Sequence, residues 1–312
     1  MGRAFIDAIL HVRREAFPIR AQTVCYLLIG LWASQSFAQK AIVDDAACSN
    51  ERADPFILVQ SGKQFLKSTN TRDNYNVAFK CFNVAAKSGY SDAQFFVGMM
   101  LHTGDGVARN DGEALKWLRL AAAQGNASAE AYIGGMYVNG EGVEKNASEG
   151  VKWILRAAAR GLDVAEATAG EAYETGNGVS QDTKEAERWY RLAAQHGFTE
   201  AQYRLGRMYL FGKEITTNYP EAIRWLTSAS EKGHVSAQML LGYMYAGGIG
   251  VSPDPVAAHV LFSAVAQSDD ESFAKDGRKD RDQIEKTMTR AQIAEAGTIF
   301  RNKLRKWKAS SE

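Results

Sequence analysis

Residues 93–125 read AQFFVGMMLHTGDGVARNDGEALKWLRLAAAQG, and much of the remaining chain consists of copies of this stretch. Trp117 is followed at intervals of 36 residues by Trp153, Trp189 and Trp225; Gly98 by Gly134, Gly170, Gly206 and Gly242; Gly125 by Gly161, Gly197 and Gly233. A fixed period in this range marks stacked supersecondary units, none of which can bury its apolar face alone. Within a copy, Ala93, Val97, Gly98 and Leu101 fall on one stripe of a helix, helix A. Later copies carry Tyr137, Tyr173, Tyr209 and Tyr245 in place of Leu101. A glycine inside a helix costs about 1 kcal/mol relative to alanine, so its recurrence predicts the close approach of another helix.

Helix A ends at Gly104-Asp105-Gly106-Val107, repeated as Gly140-Glu141-Gly142-Val143, Gly176-Asn177-Gly178-Val179 and Gly248-Ile249-Gly250-Val251. Two glycines suit a tight reversal needing positive φ. Helix B then starts at Asn74, Asn110, Asn146, Asp182, Asn218 or Asp254, all 36 apart, and four of these are followed three residues later by Glu113, Glu149, Glu185 and Glu221. This predicts capping boxes, which gives the periodic carboxylates a structural reading rather than a catalytic one. Ala114, Trp117, Leu118 and Ala121 predict the buried face of helix B, and Gly125 its left-handed stop.

The ends of the chain depart from the period. Arg13, Arg14 and Arg20 precede an apolar run, Val24 to Ala33, and then Ser36-Phe37-Ala38, the pattern of a signal peptide over residues 1–38. About ten apolar residues fall short of the roughly 20 that span a bilayer. Without residues 1–38 the chain keeps 33 basic and 34 acidic residues, a net charge of about −1 with histidine neutral, which gives no field for nucleic acid. Cys25 leaves with the signal, and Cys48 and Cys81 remain as a candidate disulfide in an oxidising compartment; the alternative is two unrelated thiols.

Residues 39–53 read as an N-terminal arm, and Asp54-Pro55 opens the first helix of a degenerate unit that carries Ser68-Thr69-Asn70-Thr71 where others have glycines. In the fourth regular copy, Gly212-Lys213-Glu214-Ile215 puts glutamate where its relatives have glycine, by drift or for function. After Gln267 the polar run SDDESFAKDGRKDRD reads as a linker, and Thr289-Arg290-Ala291-Gln292 opens a capping helix to about Trp307 with a basic end at Arg301, Lys303, Arg305, Lys306 and Lys308.

The repeated pattern A-x-x-x-L-G-x-M-Y-x-x-G-x-G-V-x-x-[ND]-x-x-E-A-x-x-W-x-x-x-A-A-x-x-G resembles the Sel1-like repeat family, relatives of the tetratricopeptide repeat, of the exported bacterial type. The resemblance implies an all-α, right-handed solenoid of helix-turn-helix repeats, six units over residues 54–267 with the first degenerate, and a C-terminal linker and capping helix over 268–312. Family members are typically protein-interaction adaptors, and exported ones include negative regulators that hold the periplasmic part of a sensor kinase. Some cysteine-rich members are linked to β-lactam binding, but their paired cysteines are absent here. A lone Ser272-Phe273-Ala274-Lys275 lies outside the array, without a Lys-Thr-Gly or Ser-Asp-Asn partner.

In that architecture the A helices line a concave face, and their nonframework positions are the ligand-facing set. Phe95, Met99, His102, Glu171, Glu174, Tyr203, Arg207, Leu210 and Tyr243 are the candidate partner-binding residues, because these positions vary while the framework repeats. Aromatics and arginine anchor peptides and partner helices; the alternative for each apolar side chain is interhelical packing. No His-x-x-x-His or Cys-x-x-Cys spacing exists, so no metal, cofactor or catalytic residue is expected. The expectation is a periplasmic or secreted non-enzymatic scaffold for a protein partner such as a sensor ectodomain or envelope enzyme, without stable membrane insertion of the mature chain. Binding of a cell-wall glycan through groove aromatics is the alternative, and a β-lactam-type hydrolase the third reading.

Overall fold

A computed structural model describes residue 48 and residues 53–67, 72–212 and 215–310, with only the backbone course described for 72 and 306–310. The signal-peptide reading, most of the N-terminal arm, the Ser68–Thr71 stretch and the Lys213-Glu214 irregularity lie outside the described residues. Among those described there are fourteen α-helices and no strands. They pair as A and B: α1 Pro55–Lys67 with α2 Arg72–Lys87, α3 Ser91–Thr103 with α4 Asp111–Ala123, and α5 Ala127–Asn139 with α6 Ala147–Ala159. The order continues with α7 Asp163–Thr175, α8 Thr183–Gln195, α9 Thr199–Phe211, α10 Tyr219–Glu231, α11 Val235–Gly247 and α12 Pro255–Val265. Two further helices follow, α13 Glu271–Glu285 and α14 Arg290–Ser310. The helices belong to two compact units, one ending at Ala186 and the other beginning at Glu187, a boundary within α8.

The helix-A glycine works as expected, against a partner that follows the tryptophan. A Cβ on Gly98 would lie 2.6 Å from Leu118, on Gly134 2.7 Å from Ile154, on Gly206 2.8 Å from Leu226 and on Gly242 2.6 Å from Phe262. Leu118 and Leu226 are fully buried. The tryptophans, expected on this buried face beside Leu118 and its equivalents, differ among themselves: Trp189 and Trp225 are buried, while Trp117 and Trp153 are half-buried. An arginine of the same helix lies over three of them, Arg156 on Trp153 at 4.3 Å, Arg188 on Trp189 at 4.1 Å and Arg224 on Trp225 at 4.8 Å.

The two turn glycines have separate tasks. Gly104 closes α3 with φ 80°, its N–H bonded to the Met100 carbonyl. Gly106 has φ 69°, and a Cβ there would stand 2.3 Å from the backbone of Tyr75, in the first turn of the preceding helix B. Gly178 meets the Ala147 backbone likewise, and Gly142 and Gly250 meet the Cβ atoms of Asp111 and Tyr219 at the same place. The second glycine is therefore a joint between consecutive repeats.

Half of each expected capping box forms. The Asn110, Asn146, Asp182 and Asn218 side chains accept from the N–H groups of Glu113, Glu149, Glu185 and Glu221. The N–H of each cap donates to the end of helix A rather than waiting for the glutamate, at Leu101, Tyr137, Tyr173 and Tyr209. The glutamates turn outward: Glu113 receives Lys116, Glu149 receives Lys152, and Glu221 receives Arg224 and the Trp225 indole N–H.

The expected linker after residue 267 contains a helix. α13 is capped by Asp270 and begins 36 residues after α11, so it occupies the register of a further helix A. Its Ala274 and Gly277 are buried, and a Cβ on Gly277 would lie 2.6 Å from the Ala266 backbone. Phe273 and Ile284 pack on the cluster of Met239, Tyr243, Ala258, Phe262 and Val265, and both α13 and α14 pack against α12. This polar helix covers the last apolar layer, as a solenoid end requires.

Candidate partner-binding face

In the unit that ends at Ala186, the predicted residues of α3 are drawn into packing. Phe95, Met99 and His102 are no more than 8% exposed. Phe95 meets Phe96 at 5.2 Å and the edge of Tyr132 at 6.1 Å, and Phe96 stacks on Phe82 at 4.5 Å. The His102 ring lies between two carboxylates, Nδ1 2.9 Å from Asp111 and Nε2 3.3 Å from Glu141. Arg109 grips Asp111 through two nitrogens, and this hydrogen bonding, aided by His102, holds the Asp111 carboxyl below the usual range against the effect of burial. His102 thereby ties helix B of its own repeat to the turn of the next. Glu171 and Glu174, on α7, are half-buried.

Sequence reasoning passed over Lys63, which stands 36 residues before Met99 and so shares its place on helix A. Its side chain is buried, 3.6 Å from Asp92 and over the Phe96 ring at 5.4 Å. Burial pushes the ammonium down to about 8 despite the Asp92 carboxylate.

In the unit from Glu187 onward, Tyr203 and Leu210 are buried and Arg207 is half-buried. Tyr203 stacks on His234 at 4.5 Å, with the Arg207 guanidinium 5.9 Å from its ring. His234 Nδ1 accepts from the Ala237 N–H, which assigns the proton to Nε2, 3.0 Å from Glu200. Burial opposes charge on Glu200, but the His234 hydrogen bond and Arg204 outweigh it and hold the carboxyl at about 2. Tyr243 faces α13 rather than a free surface: its hydroxyl donates to Asp280 at 2.5 Å, and burial followed by that carboxylate pushes the phenol up.

His259 Nε2 lies 2.7 Å from Glu285 and its Nδ1 3.4 Å from Ser263 Oγ. These are the residue types of a hydrolytic triad, but Ser263 and His259 are 6% and 5% exposed and tie α12 to α13. Ser272 is exposed in the first turn of α13, where its N–H donates to Asp270. No group of three or more His, Cys, Asp or Glu side chains among the described residues could hold a metal ion. No helix among them is long and apolar enough to cross a membrane.

Cys48 and Cys81 form a disulfide, with Cα atoms 4.4 Å apart and both residues buried. Cys81 occupies the place that later copies give to tryptophan. Closing this loop of 33 residues stabilises the fold by about 3–4 kcal/mol on the chain-entropy view.

The Sel1 repeat family model matches residues 68–90, 91–126, 127–162, 165–198, 199–234 and 235–270. A Sel1 repeat protein from Oxalobacter formigenes is 32% identical over 72% of this chain and 88% of its own, with a TM-score of 0.61. A protective antigen of uropathogenic Escherichia coli with an SLR fold is 20% identical, covering 97% of this chain and 84% of its own, TM-score 0.40. The immunity protein Pa5087 from Pseudomonas aeruginosa is 20% identical, covering 76% and 87%, TM-score 0.45. A comparison with curated proteins gives no match.

Proposed function

Because the chain belongs to the Sel1 repeat family, whose solenoid suits protein–protein interaction, we propose that it is an exported, non-enzymatic scaffold that binds a protein partner on its helix-A face and regulates envelope signalling. The observation that carries this reading is the division of labour among equivalent positions. Framework positions repeat from copy to copy, whereas the helix-A positions change, and packing inside the chain takes up their apolar members Phe95, Met99, Tyr203 and Leu210. Glu171 and Glu174 in one unit and Arg207 in the other keep partial access to solvent. Contact with a partner then rests on charge, which gives selectivity and rate of encounter more than raw affinity. The buried disulfide supports export, since such bonds persist in oxidising compartments.

Photo-crosslinking in cells tests this, with the reactive side chain placed at 174 or 207 on helix A and at 116 on helix B. Capture of a protein from 174 or from 207, with Arg207→Glu abolishing capture from 207 without moving the melting temperature, is the expected result. Equal capture from 116 would place the contact elsewhere. Two free thiols in the unreduced chain isolated from whole cells would remove the disulfide's support for export.

A further inference from the structure

The first turn of helix A carries alanine in five repeats, at Ala93, Ala129, Ala165, Ala201 and Ala237, each no more than 2% exposed. The preceding helix B packs on α3, α5, α7 and α11. In α1 the same place holds Ile57, 36 residues before Ala93, beside Phe56; they are 49% and 54% exposed. A position that is small and covered elsewhere is here large, apolar and open.

The bond that ties the later A helices to the preceding helix B has no counterpart in α1. In α3, α9 and α11, Gln94, Gln202 and Gln238 catch a carbonyl of the preceding helix B, at Ala86, Ala194 and Ser230. The matching residue of α1 is Leu58, which has no such hook. The exposed strip of α1 runs through Phe56, Ile57, Gln60 and Gln64 without a charge, with Asp54 before its start and Lys67 at its end. The one other charge on the helix, Lys63, is buried toward Asp92.

We propose that this face joins two copies of the chain, α1 packing antiparallel on α1 of the second copy about a two-fold axis. A two-fold contact brings the same patch to both sides, so it needs a surface that tolerates itself. An uncharged strip meets that condition, and the antiparallel direction brings Asp54 of each copy toward Lys67 of the other while separating like charges. The contact removes Phe56 and Ile57 from water, the exposure that a large apolar pair on a soluble surface signals. It is independent of the partner-binding reading.

Sedimentation equilibrium on the full chain with its disulfide intact tests the proposal. The mass should rise with concentration from that of one chain toward twice that value. Phe56→Gln with Ile57→Ala, which installs the alanine of the later repeats, should weaken association by about tenfold or more with unchanged thermal unfolding at concentrations where both chains are monomeric. Lys67→Glu, which faces Asp54 of the second copy with a like charge, should weaken it less and most at low salt. A chain that stays monomeric at every concentration overturns the proposal and leaves the face to another helix. So does a dimer that survives the double substitution.

Discussion

Two successive repeat ends bury a polar side chain at the same place and satisfy it differently. In one, Gln94 accepts from Gln124 at 2.8 Å, and Gln124 also donates to the Gly89 carbonyl. In the next, Glu130, wholly buried, accepts from Arg160 at 2.8 Å and lies 3.0 Å from Arg156, an ion pair whose geometry leaves Oε1 without a hydrogen bond. Both ends follow one rule, that residues 30 apart are matched: amide with amide, carboxylate with guanidinium. The framework is thus conserved in its pairings as well as its residues, and the charged version carries a risk that the neutral one does not.

That risk sets the largest expected effect. Arg160→Gln strands a buried carboxylate beside the half-exposed Arg156 and should cost about 2–4 kcal/mol, read as a shift of the urea midpoint. Glu130→Gln should cost less, about 1 kcal/mol, because the arginines it releases reach water. The matched pair of urea midpoints breaks the comparison if Glu130→Gln proves the worse of the two.

A second matched row gives a pH test. Asn126 donates to Asp92 in one unit, and His234 to Glu200 in the other. The Glu200 carboxyl is depressed from 4.5 to about 2, so its contribution is present above pH 4.5 and is lost as pH falls from there toward 2. Protection of the α9 amides in hydrogen exchange should fall across this window, and Glu200→Gln should flatten the fall. In the same unit Lys232 donates to the Gly197 carbonyl, and Gln202 Oε1 is buried without a hydrogen bond. Lys232→Gln, copying Gln124, should therefore stabilise by about 0.5–1 kcal/mol. Smallest of all, Glu130→Gln with Arg160→Gln transplants the neutral pair and should stay near wild type, within about 0.5 kcal/mol, so that the double-mutant cycle isolates the coupling.

Turns, caps and the internal glycine were legible because each rests on local backbone chemistry that few residue types satisfy. The capping box was half legible: sequence shows the cap and the glutamate, but not that the cap's N–H already serves the Tyr137 or Tyr209 carbonyl. The tryptophans were legible in part: Trp189 and Trp225 are buried as expected, but the glycine opposite meets Leu118, Ile154 and Phe262, one residue later, and leaves Trp117 and Trp153 half-buried. The polar composition of α13 hid a helix that the period marks, since Asp270 stands 36 residues after the cap His234. The candidate face was the least legible part. Whether Phe95 or Tyr203 meets a partner or its own neighbours depends on how tightly successive A helices close, a tertiary quantity with no signature at a single position.

The joint formed by Gly106, Gly142, Gly178 and Gly250 has a consequence for how such a gene can change length. Each glycine fits against the first turn of the helix B in the repeat before it, so an insertion or deletion of a single residue within a repeat drives a side chain or a displaced loop into that turn. Loss or duplication of a whole period returns every glycine to an equivalent seat. Recombination between copies should therefore yield folded arrays with more or fewer repeats, while small indels are confined to the chain ends and to the two units whose second glycine is replaced, by Asn70 and by Glu214.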